Sequence, residues 1–140
     1  MKAHHRWPRT SPPVTFTEKI LARKLAPPDP RYQIVSDKVA VRPWVAQRIG
    51  EAHLVPALAV YGYDELDRLE LAPGQVLKCA NRSGGVYFSD EEPDRKALIT
   101  KLRQHLDFNF GDWTGETWYA DVPRRVLVEQ ALRDEHGRVP

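Results

Sequence analysis

A lysine on a strand just ahead of a glycine-bearing turn is the arrangement in this chain best suited to chemistry. The segment GQVLKCANRSGGVYF carries Lys78, then Arg82, Ser83, Gly84 and Gly85. Successive backbone N–H groups in such a turn form a concavity for a phosphate, and the lysine adds a point charge. Gly84 and Gly85 lack a Cβ, so the backbone there can approach a ligand closely and adopt positive φ. Arg82 supplies a guanidinium able to pair with a phosphate. Many hairpins carry a lysine before a glycine turn without any ligand, so the motif needs its context.

The remaining candidates read more simply. Cys79 follows Lys78 and points to the opposite strand face. It is expected to be a small core residue, because a nucleophile would need a basic partner. The histidines are scattered, and only His4 and His5 are adjacent, so no metal site is expected. His53 and His105 read as surface or partly buried structural residues. Trp113, Trp118 and Tyr119 surround Glu116 and are expected to anchor a loop rather than stack on a sugar or base. Asp64, Glu65, Asp67 and Glu70 form a solvated acidic face. No catalytic residue can be assigned.

The elements that must position these residues follow from local pattern. TFTE reads as a capping box, Thr15 to Glu18, and opens a helix with Phe16, Ile20, Leu21 and Leu25 close to one face. Pro27 and Pro28 end it. A second helix starts near Ser36 and Asp37, runs through Val41, Val45 and Ile49, and stops at Gly50. Pro43 predicts a kink or a late restart. The apolar run Leu54 to Tyr61 reads as a strand that Pro56 pushes to an edge. YDELDRL reads as a short helical turn, and the two strands around NRSGG as a hairpin. Ser89 and Asp90 are expected to cap a long helix reaching Phe108, with Leu98, Leu102 and Leu106 as its buried stripe and Pro93 in its first turn. FGDWTGETWY reads as a loop and RRVLVEQAL as the last strand. The order predicts an α+β fold.

Bulk properties narrow the class. The chain has 140 residues, and a domain of that size buries roughly 70% of its unfolded surface. Hydrophobic residues make up 41% and charged residues 29%, which suits a globular domain. Acids and bases alternate, and the net charge is only +2, so nucleic acid is not an expected partner. One cysteine excludes an internal disulfide framework and suits a cytoplasmic protein. No apolar run approaches the roughly 20 residues needed to span a bilayer. Residues 1–13 read as a basic disordered tail, residues 14–62 as a helical and strand segment, and residues 63–140 as the part that holds the glycine turn.

In order and spacing, FTEKILARKL, DKVAVRPWV with RIGEAHLVPALAVY, VLKCANRSGG and PRRVLVEQAL resemble the TupA-like branch of the ATP-grasp superfamily, from about Pro13 to Leu132. The resemblance implies ATP with magnesium as cofactors. It implies that Lys78 contacts the phosphates and that Ser83, Gly84 and Gly85 cover them. The strand around Val128, Glu129 and Gln130 would meet the adenine and ribose end. Lys38 and Arg42 match a basic pair leading into the domain, and Lys38 is expected to reach the nucleotide. The family's turn usually has a histidine and a glycine where this chain has Arg82 and Ser83.

The family's carboxylate-binding, ADP-forming ligase chemistry needs a further segment that holds the magnesium. This chain is expected to stop before it, as the N-terminal half of an ATP-grasp protein of teichuronopeptide or surface polysaccharide synthesis, inactive alone. Alternatives are a non-catalytic remnant or interaction module, paired with itself or a partner through the exposed strand VLVEQAL, and a polysaccharide glycosyltransferase-related protein.

Overall fold

Strand alternation divides the apolar residues of this chain between two faces of one sheet. The computed structural model describes residues 6–137. Its helices are α1 (Phe16–Leu25), α2 (Pro30–Ser36), α3 (Val41–Ile49), α4 (Arg95–Asp107) and α5 (Phe110–Thr114). Its strands are β1 (Ala57–Gly62), β2 (Gln75–Cys79), β3 (Val86–Phe88) and β4 (Arg125–Gln130), all antiparallel in the order β1-β4-β2-β3. The fold is α+β.

The core lies on one face of this sheet. Leu77 and Cys79 of β2 and Val126 and Val128 of β4 meet Leu98, Ile99, Leu102 and Leu106 of α4, together with Leu66 and Leu69 of the turn after β1. The predicted leucine stripe of α4 is fully buried. Each such side chain contributes roughly 1.5–3 kcal/mol by leaving water. The helix starts later than Ser89 and Asp90 suggested. Those residues form a 3-10 turn, and Asp94 caps α4 through the amides of Lys96 and Ala97. Pro93 therefore precedes the helix instead of occupying its first turn.

Several other expectations are refined. The capping box of Thr15 and Glu18 opens α1, but Phe16 is 79% exposed and Leu25 69% exposed, and Glu18 is the buried residue of that helix. Its carboxylate accepts hydrogen bonds from Arg6 Nη1, at 2.6 Å, and from the amides of Arg9, Val14 and Thr15. Arg6 and Arg9 thus meet α1 at Glu18, while residues 1–5, with His4 and His5, lie outside the described residues.

Asp29 caps an unforeseen α2, with Pro30 at its first position. Pro43 sits in the first turn of α3, where a missing N–H costs nothing, so no kink is needed. β1 is an edge strand, as Pro56 implied. The aromatic loop contains α5 and a 3-10 turn, Thr117–Tyr119.

One correction concerns the last strand. The expectation that VLVEQAL is exposed fails: β4 is central, paired with β1 and β2, and Val126, Leu127 and Val128 are at most 1% exposed. The large apolar residues left open on the sheet are Leu58 and Val60 of β1 and Val86 of β3. β1 lies along β4, so the first strand belongs to the same sheet as the hairpin's partner strand.

Candidate functional site

The sheet face opposite α4 carries the charged residues. Leu77 and Cys79 enter the core, so Val76 and Lys78, one position away on either side, face the other way. On β4 the cross-strand partner of Val76 is Glu129, which places Glu129 on the same face, diagonal to Lys78. Lys78 Nζ donates to Glu129 Oε2 at 2.6 Å. Arg42, from the first turn of α3, donates to the other carboxylate oxygen and, through its second terminal nitrogen, to the carbonyl of Val55.

Glu129 is 5% exposed. A buried carboxylate is tolerable only with such partners. Two cations share its one charge, which leaves the cluster net positive and suited to an anion.

Asp37 fixes the helices above this face. Its Oδ1 accepts the amides of Val39, at 2.8 Å, and Ala40, at 3.2 Å, which holds the turn between α2 and α3; the cap position of α3 itself is Ala40, with no side-chain cap, so the helix begins later than a cap at Ser36 or Asp37 predicted. The Asp37 Oδ2 accepts from Arg125 Nη2 at 2.6 Å, which ties that turn to β4. The sequence marked Asp37 as a cap but gave no signal for Arg125, 88 residues away.

Lys38 follows and donates to the carbonyls of Cys79, at 2.8 Å, and Arg82. Burial pushes its ammonium below the ordinary lysine range.

The turn between β2 and β3 is built on its glycines. Gly84 and Gly85 have φ of +78° and +63°. A Cβ on Gly85 would also lie 3.2 Å from that of Cys79, so both the backbone conformation and the close approach favour glycine there. Cys79 N donates to the carbonyl of Gly85 at 3.0 Å and closes the turn. The Cys79 thiol is buried and pushed up to about 11, chiefly by desolvation, as suits a core residue.

A groove of about 300 Å³ runs along the same face, lined by Val55, Val76, Lys78, Val86, Phe88, Gln130 and Leu132. Its walls are largely apolar, with one ammonium in reach, which matches a flat base joined to an anionic group. A larger groove, of about 500 Å³, lies between residues 6–8 and α1. Its charged groups already serve the protein: Glu18 holds Arg6, and Lys24 donates to the carbonyl of Thr114 and lies 3.9 Å from Glu116.

Of the residues singled out by sequence, Lys78, Glu129, Lys38 and Arg42 gather at this face, and Gln130 borders the groove at the end of β4, although alternation sends its side chain to the side of Val128. Ser83 and Gly84 are exposed at the turn. Val128 instead points into the core. Arg82 turns away as well, lying 5.1 Å from the Phe108 ring and 5.7 Å from that of Phe110 and donating to the His105 carbonyl. Of the aromatic residues, Trp118 packs edge-on against Tyr32, while Trp113 remains 75% exposed.

No group of three His, Cys, Asp or Glu among the described residues is placed to hold a metal ion. Glu129, the carboxylate beside Lys78, is already shared by two cations, so this face does not fit a magnesium ion. No described helix is long and apolar enough to cross a membrane.

A family model described as TupA-like ATPgrasp matches residues 18–138. Comparisons with curated proteins and with solved structures find no match.

Proposed function

The chain belongs to the TupA-like ATP-grasp family, and from that premise we propose that the open face of its sheet binds ATP. What carries the reading is the groove in which apolar walls from Val76, Val86, Phe88 and Leu132 meet the ammonium of Lys78, beside a glycine turn of positive φ. A base fits the apolar walls, and the phosphates extend toward Lys78 and the turn. Phosphate oxygens compete with Glu129 for Lys78, while Arg42 keeps the Glu129 carboxylate paired. Arg125 and Asp37 hold α3 against the sheet so that Arg42 stays in place.

The family role we assign is ATP-dependent ligation of a carboxylate in surface polysaccharide or teichuronopeptide synthesis. ATP supplies the phosphoryl group for that chemistry. The described residues do not provide magnesium ligands, so their part is to bind and orient the nucleotide. The chain alone is expected to bind ATP without turning it over.

Thermal unfolding with and without ATP tests this. A ligand at about 100 times its dissociation constant adds roughly 2.7 kcal/mol of stability. The wild type should gain a shift that Lys78→Ala abolishes. No shift at millimolar ATP, in a chain whose folding is verified, would overturn the reading. It would favour the interaction module, which draws on the exposed Leu58, Val60 and Val86.

A further inference from the structure

Glu18 is the buried residue of α1, so the helix turns its other side to water. An α-helix advances about 100° per residue, which puts the positions two before and two after Glu18 on the opposite side. Those positions are Phe16 and Ile20, both exposed. Lys19 and Arg23 flank them and are exposed as well. Trp7, at 77% exposed, joins this surface, because it lines the groove of about 500 Å³ together with Ile20 and Leu21. Charge is segregated here too. From Arg6 to Leu25 the chain has five Lys or Arg residues and one acidic residue, Glu18. That carboxylate is already held by Arg6 and three amides. The net charge of the whole chain is +2, so the remainder is net negative. Glu116, 3.9 Å from Lys24, offsets part of the positive charge, while Arg9, Lys19 and Arg23 stay exposed.

We propose that this face of α1, with Trp7, is a docking surface for an anionic lipid bilayer, on which the helix lies without crossing it. Aromatic side chains beside cations suit the headgroup layer: Trp and Phe settle at its apolar boundary, and Lys and Arg meet the lipid phosphates. An anionic leaflet supplies the negative charge that this face lacks. A second copy of the chain would bring the same cations against these, so charge opposes self-pairing here. A soluble polyanion would answer the cations but leave Phe16 and Trp7 in water. Helix α1 has ten residues and so spans about 15 Å, half of a bilayer's hydrocarbon core. The proposal does not rest on the nucleotide reading, because the α1 face and the open sheet face are built from different residues.

Co-sedimentation of the full chain with vesicles tests this. The chain should bind vesicles of phosphatidylcholine mixed with phosphatidylserine, bind pure phosphatidylcholine far more weakly, and come off as salt rises. Lys19→Glu should weaken binding to the anionic vesicles by about tenfold or more, because it removes one cation and adds a repelled anion. Phe16→Ser should weaken it by about tenfold through lost apolar burial. Leu58→Ser, on the exposed part of β1, should bind like wild type. Exposed positions tolerate substitution, so the thermal unfolding midpoints should stay together. If Phe16→Ser shifts the midpoint, Trp7→Ser, which lies outside any helix, takes its place in the same comparison.

No binding to anionic vesicles, or equal binding to neutral ones, would overturn the proposal. So would binding that Phe16→Ser and Lys19→Glu leave intact. Polyglutamate bound as tightly as vesicles, with no effect of Phe16→Ser or Trp7→Ser, would reduce the face to a basic patch for soluble polyanions. A dimer in size-exclusion chromatography that Phe16→Ser converts to a monomer, without vesicle binding, would assign the face to a second copy and likewise overturn the membrane reading.

Discussion

Neighbouring residues on β2 have opposite fates because a strand sends successive side chains to opposite faces. Cys79 enters the core, where desolvation raises its thiol, although Lys38 and Arg82 nearby act in the other direction. At neutral pH the thiolate that reacts with electrophiles is therefore scarce. Iodoacetamide should label Cys79 slowly in the native chain and fully in denaturant, as read by mass spectrometry. Rapid native labelling would mean that the core around β2 opens readily. Lys78, one residue earlier, keeps its ammonium at the surface because Glu129 and Arg42 lie across the strand boundary on the same side. His105 contrasts with both. Its ring packs edge-on against Tyr87, and desolvation lowers its pKa, consistent with a structural residue.

Among the elements, α1 is held by its cap more than by its apolar side. Four donors converge on Glu18, and these bonds, the amide of Arg9 foremost, hold its carboxyl far below the ordinary glutamate range. A carboxyl depressed in the folded state stabilises above its unfolded value, near 4.3, and loses that contribution as pH falls toward the folded one. Glu18→Gln should therefore be less stable than wild type at pH 7, and the two should converge as pH drops below about 4, measured by denaturant midpoints. A gap that persists at acid pH would assign the effect to packing instead of charge. α4 rests on the opposite principle. Its leucines at spacing four are read directly from sequence and are all buried, whereas its start depends on which of Ser89, Asp90 and Asp94 reaches the first amides. Several good caps in succession leave that choice to the path of the chain.

At the scale of the molecule, the sheet is covered on one face and partly open on the other. Helix α4 and the turn after β1 seal one side. On the other, α3 reaches Glu129 through Arg42, but Leu58, Val60 and Val86 remain in contact with water. Substituting an exposed strand residue away from other partners changes stability by about 0.5 kcal/mol or less. Val60→Lys should accordingly keep the wild-type unfolding midpoint while lowering the fluorescence of a dye that binds exposed apolar surface. A large loss of stability would mean that this face is packed in solution.

What the sequence determined by itself is what short-range physics controls. Periodicity placed the helices α1, α3 and α4, the hairpin and the final strand. Proline put β1 at an edge, and the glycines of the β2–β3 turn marked positive φ. The order of motifs from about Pro13 to Leu132 carried the resemblance, and the family model matches residues 18–138. Only the tertiary structure decided which strand is central, because strand order depends on pairings between residues far apart in sequence. It also decided that Arg42 and Lys78 share Glu129, that Asp37 meets Arg125, and that Lys38 serves the turn's carbonyls. Those partners lie 41 to 88 residues apart, and no local pattern in a single chain encodes a contact at that range. Arg82 gives the clearest case. Its charge and position suggested a phosphate ligand, but Phe108 and Phe110, brought alongside by α4 and α5, offered its guanidinium an apolar face to stack on.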